Sequence, residues 1–164
     1  MTIIPHKPVL KIEADLIISA LNVLTKGIYS PDKLDIKAYL NSRVSTEVLD
    51  FVKFYLETHN DGFADFCKLQ NDELAHVLRK MVAYLENLEV VKLELPCEFD
   101  SSVISQIHSR LTEMTTSIVL DVSYNEDIIG GLTITRAGKY YDYSVKSAVY
   151  KSFYNEKKEL LVNI

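Results

Sequence analysis

The chain has 164 residues, a net charge of −5, 48% apolar and 25% charged side chains, the balance of a folded protein of one domain or two small ones. That charge excludes a broad nucleic-acid surface, which needs a basic stripe against phosphate. Charges interrupt every apolar run well short of the roughly 18 residues that read as a bilayer span, so no direct membrane insertion is expected.

The opening residues, 1–11, show neither a signal-peptide core nor an Arg-rich leader. Residues 9–26 carry Leu10, Ala14, Ile17, Ile18, Leu21 and Leu24 at helical spacing, and Gly27 is a stop signal. Ser30-Pro31-Asp32 predicts a second helix, short and ending near Asn41: a cap, a proline in the first turn, and an acid facing the helix dipole. Residues 46–58 place Val48, Phe51, Val52, Tyr55 and Leu56 on one face, and His59-Asn60-Asp61-Gly62 breaks the pattern. A short apolar helix is expected over 63–69. Asn71-Asp72-Glu73 then opens the clearest helix, with Leu74, Val77, Leu78, Met81, Leu85 and Leu88 in register. Each such side chain contributes about 1.5–3 kcal/mol when fully buried. An isolated helix of this length is marginal in water, so the stripe must pack on something.

The period then changes. Val91, Leu93 and Leu95 alternate with Lys92 and Glu94, the pattern of a half-buried strand ended by Pro96. Asp100-Ser101-Ser102 caps a helix bearing Val103, Ile104, Ile107, Leu111 and Met114. Ile118, Leu120 and Val122 read as a second strand. The expected fold is α+β: a reduced N-terminal bundle of about five helices over 1–89, then a small mixed β-α-β-β-β-α domain over 90–164.

Three of the five glycines fall in one apolar, β-branched stretch, Ile128-Ile129-Gly130-Gly131-Leu132-Thr133-Ile134-Thr135-Arg136-Ala137-Gly138-Lys139-Tyr140-Tyr141-Asp142-Tyr143-Ser144. Gly130 and Gly131 read as a tight turn feeding a strand over 132–136, because glycine tolerates positive φ and close backbone approach. Ala137-Gly138-Lys139 reads as a hairpin turn, with 140–142 as the returning strand. Asp142 or Ser144 is placed to cap a closing helix. A phosphate cradle is disfavoured, because the glycines feed a strand and no Lys-Ser/Thr pair follows.

No catalytic or metal constellation emerges. Ser144 lies in no Gly-x-Ser-x-Gly elbow. His6, His59, His76 and His108 show no metal-ligand spacing, and His76 and His108 fall on the polar sides of their helices. Cys67 and Cys97 read as small buried hydrophobes, and Glu86 and Glu89 as solvated groups at a helix end. No cofactor is expected. Tyr140, Tyr141, Tyr143, Tyr150 and Tyr154 crowd the last quarter, with Val145, Val149 and Phe153 as an adjacent stripe. Two readings stay open for these rings: a small core, or a partner face of Tyr150, Phe153 and Tyr154. The same choice holds for Phe51, Phe54 and Tyr55, of which Phe54 falls to one side of the core stripe.

The glycine stretch resembles the C-terminal motif of the delta subunit of F-type ATP synthases, the counterpart of the mitochondrial oligomycin-sensitivity-conferring protein. Asn125, Ile129, Gly130, Gly131, Leu132, Ile134, Arg136, Gly138, Asp142, Ser144, Val145 and Lys146 carry the likeness in order and spacing. Tyr143 stands where the family usually has Gly, and Val149 where it usually has Leu. The resemblance implies a non-catalytic stator subunit at the cytoplasmic face of the membrane, peripheral to it. It also implies a helical domain gripping N-terminal helices of the alpha subunits and a C-terminal domain gripping the peripheral-stalk b subunits. The alternatives are a stand-alone regulatory or small-ligand-binding domain, supported by a polar pocket converging on Ser144, Asp142 and Arg136, and a generic helical adaptor.

Overall fold

The computed structural model describes residues 7–29, 45–59, 62–113 and 117–162, of which 155–162 as backbone alone. The helix expected from Ser30-Pro31-Asp32 to Asn41 lies outside the described residues. Two compact units emerge, Met1–Leu88 and Glu89–Ile164.

The first unit is helical: α1 (Lys11–Ile28), α2 (Thr46–Thr58), α3 (Phe63–Phe66) and α4 (Asn71–Glu86). α1 starts two residues later than its apolar pattern. Leu10 sits at the cap in extended backbone, and Glu13 reaches back to accept from the N–H groups of Val9 and Leu10 at 2.9 and 3.0 Å. At its other end, α1 continues through Gly27. The last turn of α1 meets the first turn of α4: Asn71 Nδ2 donates to Ile28 O at 3.4 Å, and the Tyr29 hydroxyl to Asp72 at 3.2 Å. Leu21 and Leu24 of α1, Phe51 and Leu56 of α2, and Leu74, Leu78 and Met81 of α4 are fully buried. They are the stripes that the helical period marks.

The second unit is built on a four-stranded sheet in the order β2-β1-β3-β4, with β1 Glu89–Leu95, β2 Ile118–Tyr124, β3 Thr133–Arg136 and β4 Lys139–Asp142. The helix α5 (Ser101–Thr112) connects β1 to its parallel neighbour β2, as a parallel pair requires. Asp100 Oδ1 accepts from Ser102 N at 2.8 Å, so the expected cap forms. β1 pairs antiparallel with β3, and β3 with β4. Val91, Leu93 and Leu95 are buried on one face beside Ile118 and Leu120, while Lys92 on the other face is exposed. The last helix, α6, spans Val145–Val162.

Four local readings are corrected. His108 is buried, not on a polar face; its Nε2 lies 3.2 Å from Ile118 O, and because a carbonyl only accepts, that nitrogen carries the proton. Cys67 is half-buried and Cys97 exposed, since Cys97 follows the Pro96 that ends β1. Glu89 is no solvated helix-end group: it is the first residue of β1 and pairs with Arg136. The hairpin turn is two residues long, with Lys139 already in β4.

Candidate functional site

The glycine stretch folds into the stitch that fixes the start of α6. Ala137 and Gly138 have φ of 47° and 73° between the paired residues Arg136 and Lys139, the two positive values of a type I′ turn, whose twist matches that of the flanking strands. Gly131, at φ 81°, lies against the chain that leaves β4. A Cβ there would collide with the Tyr143 carbonyl oxygen and come within 3.0 Å of Ser144 Cα. That approach allows Tyr143 N to donate to Leu132 O at 3.0 Å and Val145 N to Gly130 O at 2.9 Å. Asp142 and Ser144 divide the capping between them. Asp142 Oδ1 accepts from Ser144 N at 2.8 Å, and Ser144 Oγ accepts from Ser147 N at 3.2 Å. Hydrogen bonding from Ser144 holds the Asp142 carboxyl below its ordinary pKa, with Lys151 and Lys146 adding a smaller pull. Ser144 itself is buried.

The stitch launches α6 as an exposed helix. Of its described side chains, 145–154, only Ser147 is less than exposed. Val145 and Val149 are about half exposed, while Tyr150, Phe153 and Tyr154 are 62–72% exposed. Val145, Val149 and Phe153 follow one another at four-residue steps, so they share a face. A cleft of about 300 Å³ runs beside Ala148, Val149, Ser152 and Phe153. Tyr140, Tyr141 and Tyr143 are also exposed. Of the two readings left open for these rings, a core is therefore excluded within the second unit.

The helical unit distributes its aromatics differently. Phe51 and Tyr55, for which core and partner face both stood open, are buried as core; Phe54 is half-buried with its ring 6.5 Å from that of Phe51. Tyr84 of α4 closes the cluster edge-on to Tyr55 at 5.6 Å, and burial pushes its hydroxyl pKa up. The open apolar surface lies instead on α1. Ile12, Leu16 and Val23 are 65, 63 and 54% exposed, opposite the buried stripe of Ala14, Ile17, Leu21 and Leu24. Their spacings of four and seven make one continuous face. The sequence carried this signal as a second apolar stripe on the same helix, overlooked because the first explained the helix fully.

One polar feature was not foreseen. Arg136 clasps Glu89 in bidentate fashion, Nε to Oε1 at 3.0 Å and Nη2 to Oε2 at 2.8 Å, with both side chains about a quarter to a third exposed. The hydrogen bonds from Arg136 hold the Glu89 carboxyl below its ordinary pKa and raise that of Arg136. Among the described residues, the groups named for a polar pocket at Ser144 are otherwise employed: Arg136 clasps Glu89, and Asp142 and Ser144 bond each other and the first turn of α6 as a cap. Among the described residues no group of three His, Cys, Asp or Glu side chains is placed to hold a metal ion, and no helix is long and apolar enough to cross a membrane.

The family described as ATP synthase delta (OSCP) subunit matches residues 36–152, well over half of the chain. An ATP synthase subunit delta from Petrotoga mobilis is 27% identical over 141 residues, covering 80% of this chain and 74% of that protein. The chain belongs to the ATP synthase delta (OSCP) family, the structural peripheral-stalk subunits of that complex.

Proposed function

We propose that this chain is the stator adaptor that ties the catalytic head of an F-type ATP synthase to its peripheral stalk, without itself catalysing a reaction. The observation that carries the reading is a pair of exposed apolar helix faces, one on each unit: Ile12, Leu16 and Val23 on α1, and Val145, Val149 and Phe153 on α6. Contiguous apolar surface on a soluble unit marks a docking site, and a stripe at helical spacing suits a partner helix. In this reading α1 receives an N-terminal helix of an alpha subunit. α6, with the tyrosines around it, receives the C-terminal ends of the b subunits. Two modest grips on one chain act as a bivalent clamp, so retention exceeds what either supplies. The torque of the rotor is resisted because the head and the stalk are held by the same polypeptide. Association with the cytoplasmic face of the membrane is then indirect, through the stalk.

The test is calorimetric binding of the purified chain to an alpha N-terminal peptide and, separately, to the C-terminal segment of b. Leu16→Asp is expected to weaken the first by tenfold or more and leave the second unchanged, since a buried charge is far costlier than an exposed one. Phe153→Asp is expected to do the reverse. Both positions are exposed, so neither change disturbs the fold. Wild-type chain that binds neither peptide contradicts the proposal.

A further inference from the structure

The chain reaches the second unit at Glu89, the first residue of β1, and leaves the sheet at Asp142, the last residue of β4. β1 runs antiparallel to β3, and β3 antiparallel to β4, so β1 and β4 point the same way. Register places Glu94 opposite Thr133, and Thr133 opposite Asp142. The chain therefore arrives at one end of the sheet and departs from the other. Tension between these two points runs along the strands. Ladder hydrogen bonds lie perpendicular to the strands, so such tension must break them together rather than one after another.

The weak link in that path is the ladder between β1 and β3, whose register is only Lys92 with Thr135, Leu93 with Ile134 and Glu94 with Thr133. Side chains reinforce it at both ends. Where the chain arrives, Arg136 at the end of β3 reaches past the last paired residues to clasp Glu89 at 3.0 and 2.8 Å. Where it departs, the Thr133 hydroxyl donates to Glu94 Oε2 at 3.0 Å. Bidentate Arg–carboxylate pairs combine strength with fixed geometry. Glu89 is also held through its backbone, with its N–H donating to Ser117 O at 2.8 Å.

We propose that the Arg136–Glu89 pair and the Thr133–Glu94 bond form a shear clamp that keeps β1 joined to the β3–β4 hairpin when the chain is pulled along its length. The inference rests on the stator reading in one respect: pulling through α6 is the load that a stalk gripping that helix imposes. Its mechanical content is independent of any partner.

Single-molecule pulling on the full chain tests it in two directions. With Cys67→Ser, Cys97→Ser and Asn87→Cys, handles at position 87 and at the C-terminal end load the sheet in shear. With Cys67→Ser alone, handles at exposed Cys97 and at the C-terminal end load the sheet where β1 ends and where the chain leaves β4 at Asp142, which is the same end of the sheet, and peel the ladder open. The shear direction is expected to need about twofold or more the force of peeling, because several bonds must fail together. Arg136→Met is expected to bring the shear force down towards the peeling force and to leave peeling unchanged. Arg136→Lys, which keeps the charge but loses the fork, gives an intermediate value and serves if the Met variant does not fold. Equal forces in the two directions, or a shear force indifferent to Arg136→Met, overturn the clamp. Because no partner is present, that outcome leaves binding to alpha and b untouched, and loss of binding leaves the clamp untouched.

Discussion

Gly131 and Gly138 offer a controlled comparison of what a close backbone approach is worth. Their φ values are alike, 81° and 73°, so replacing either with Ala carries a similar left-handed penalty of about 1–2 kcal/mol. Their surroundings differ. A Cβ at Gly138 meets nothing within 4 Å, whereas one at Gly131 collides with the Tyr143 carbonyl oxygen and crowds Ser144 Cα at 3.0 Å. These are backbone atoms and cannot swing aside, so overpacking adds about 1–3 kcal/mol. If the chain backs away, the bonds Tyr143 N to Leu132 O and Val145 N to Gly130 O are at risk, about 1 kcal/mol each. Gly131→Ala is therefore expected to cost about 2–4 kcal/mol more than Gly138→Ala, and Gly131→Val more again, because a β-branched residue resists positive φ. Against the 5–15 kcal/mol that holds a typical protein together, this is enough to loosen the second unit. Denaturant unfolding with hydrogen exchange reads both changes, and the amides of α4 in the helical unit should keep their protection. Equal costs at the two glycines would refute the close-approach argument and leave conformational strain as the whole effect.

Three further outcomes are expected. Phe51→Ala should destabilise the helical unit by about 3–5 kcal/mol, as for a fully buried ring, measured by denaturant titration; a loss under 1 kcal/mol would mean the aromatic cluster is not core. Ser144→Ala should cost about 1 kcal/mol by removing the α6 cap and expose the first-turn amides of α6 to faster exchange. Glu89 has a depressed pKa in the folded chain, so its contribution is present above the unfolded-state value and is lost as pH falls through the carboxylate range, about 4 and below. Acid unfolding of wild type and Glu89→Gln should therefore converge at low pH and separate near neutrality; curves that stay parallel would deny the pair a role in acid sensitivity.

Much of the fold was legible because burial and period coincide. α1, α2 and α4 each bury one stripe, and β1 buries alternate residues, so apolar spacing alone marks them. The glycine turn was legible because positive φ leaves few choices of residue. What escaped was decided by tertiary neighbours. Phe51 and Tyr55 look the same in sequence whether a ring such as Tyr84 covers them or a partner does. His108 falls among polar residues on its own helix, yet the carbonyl of Ile118 on β2 draws it inward. Glu89 and Arg136 are 47 positions apart, and only the β1–β3 register brings them together. The exposed apolar face on α1 was hidden by the success of the core stripe.

The joining of head to stalk by this chain can be read by tagging it and purifying it from gently solubilised membranes of its source, with mass spectrometry of what accompanies it. Alpha, beta and b subunits are expected to be recovered with wild type. Leu16→Asp should lose the head, and Phe153→Asp the stalk. A wild-type chain recovered alone, from membranes whose synthase survives the same detergent intact, would contradict it.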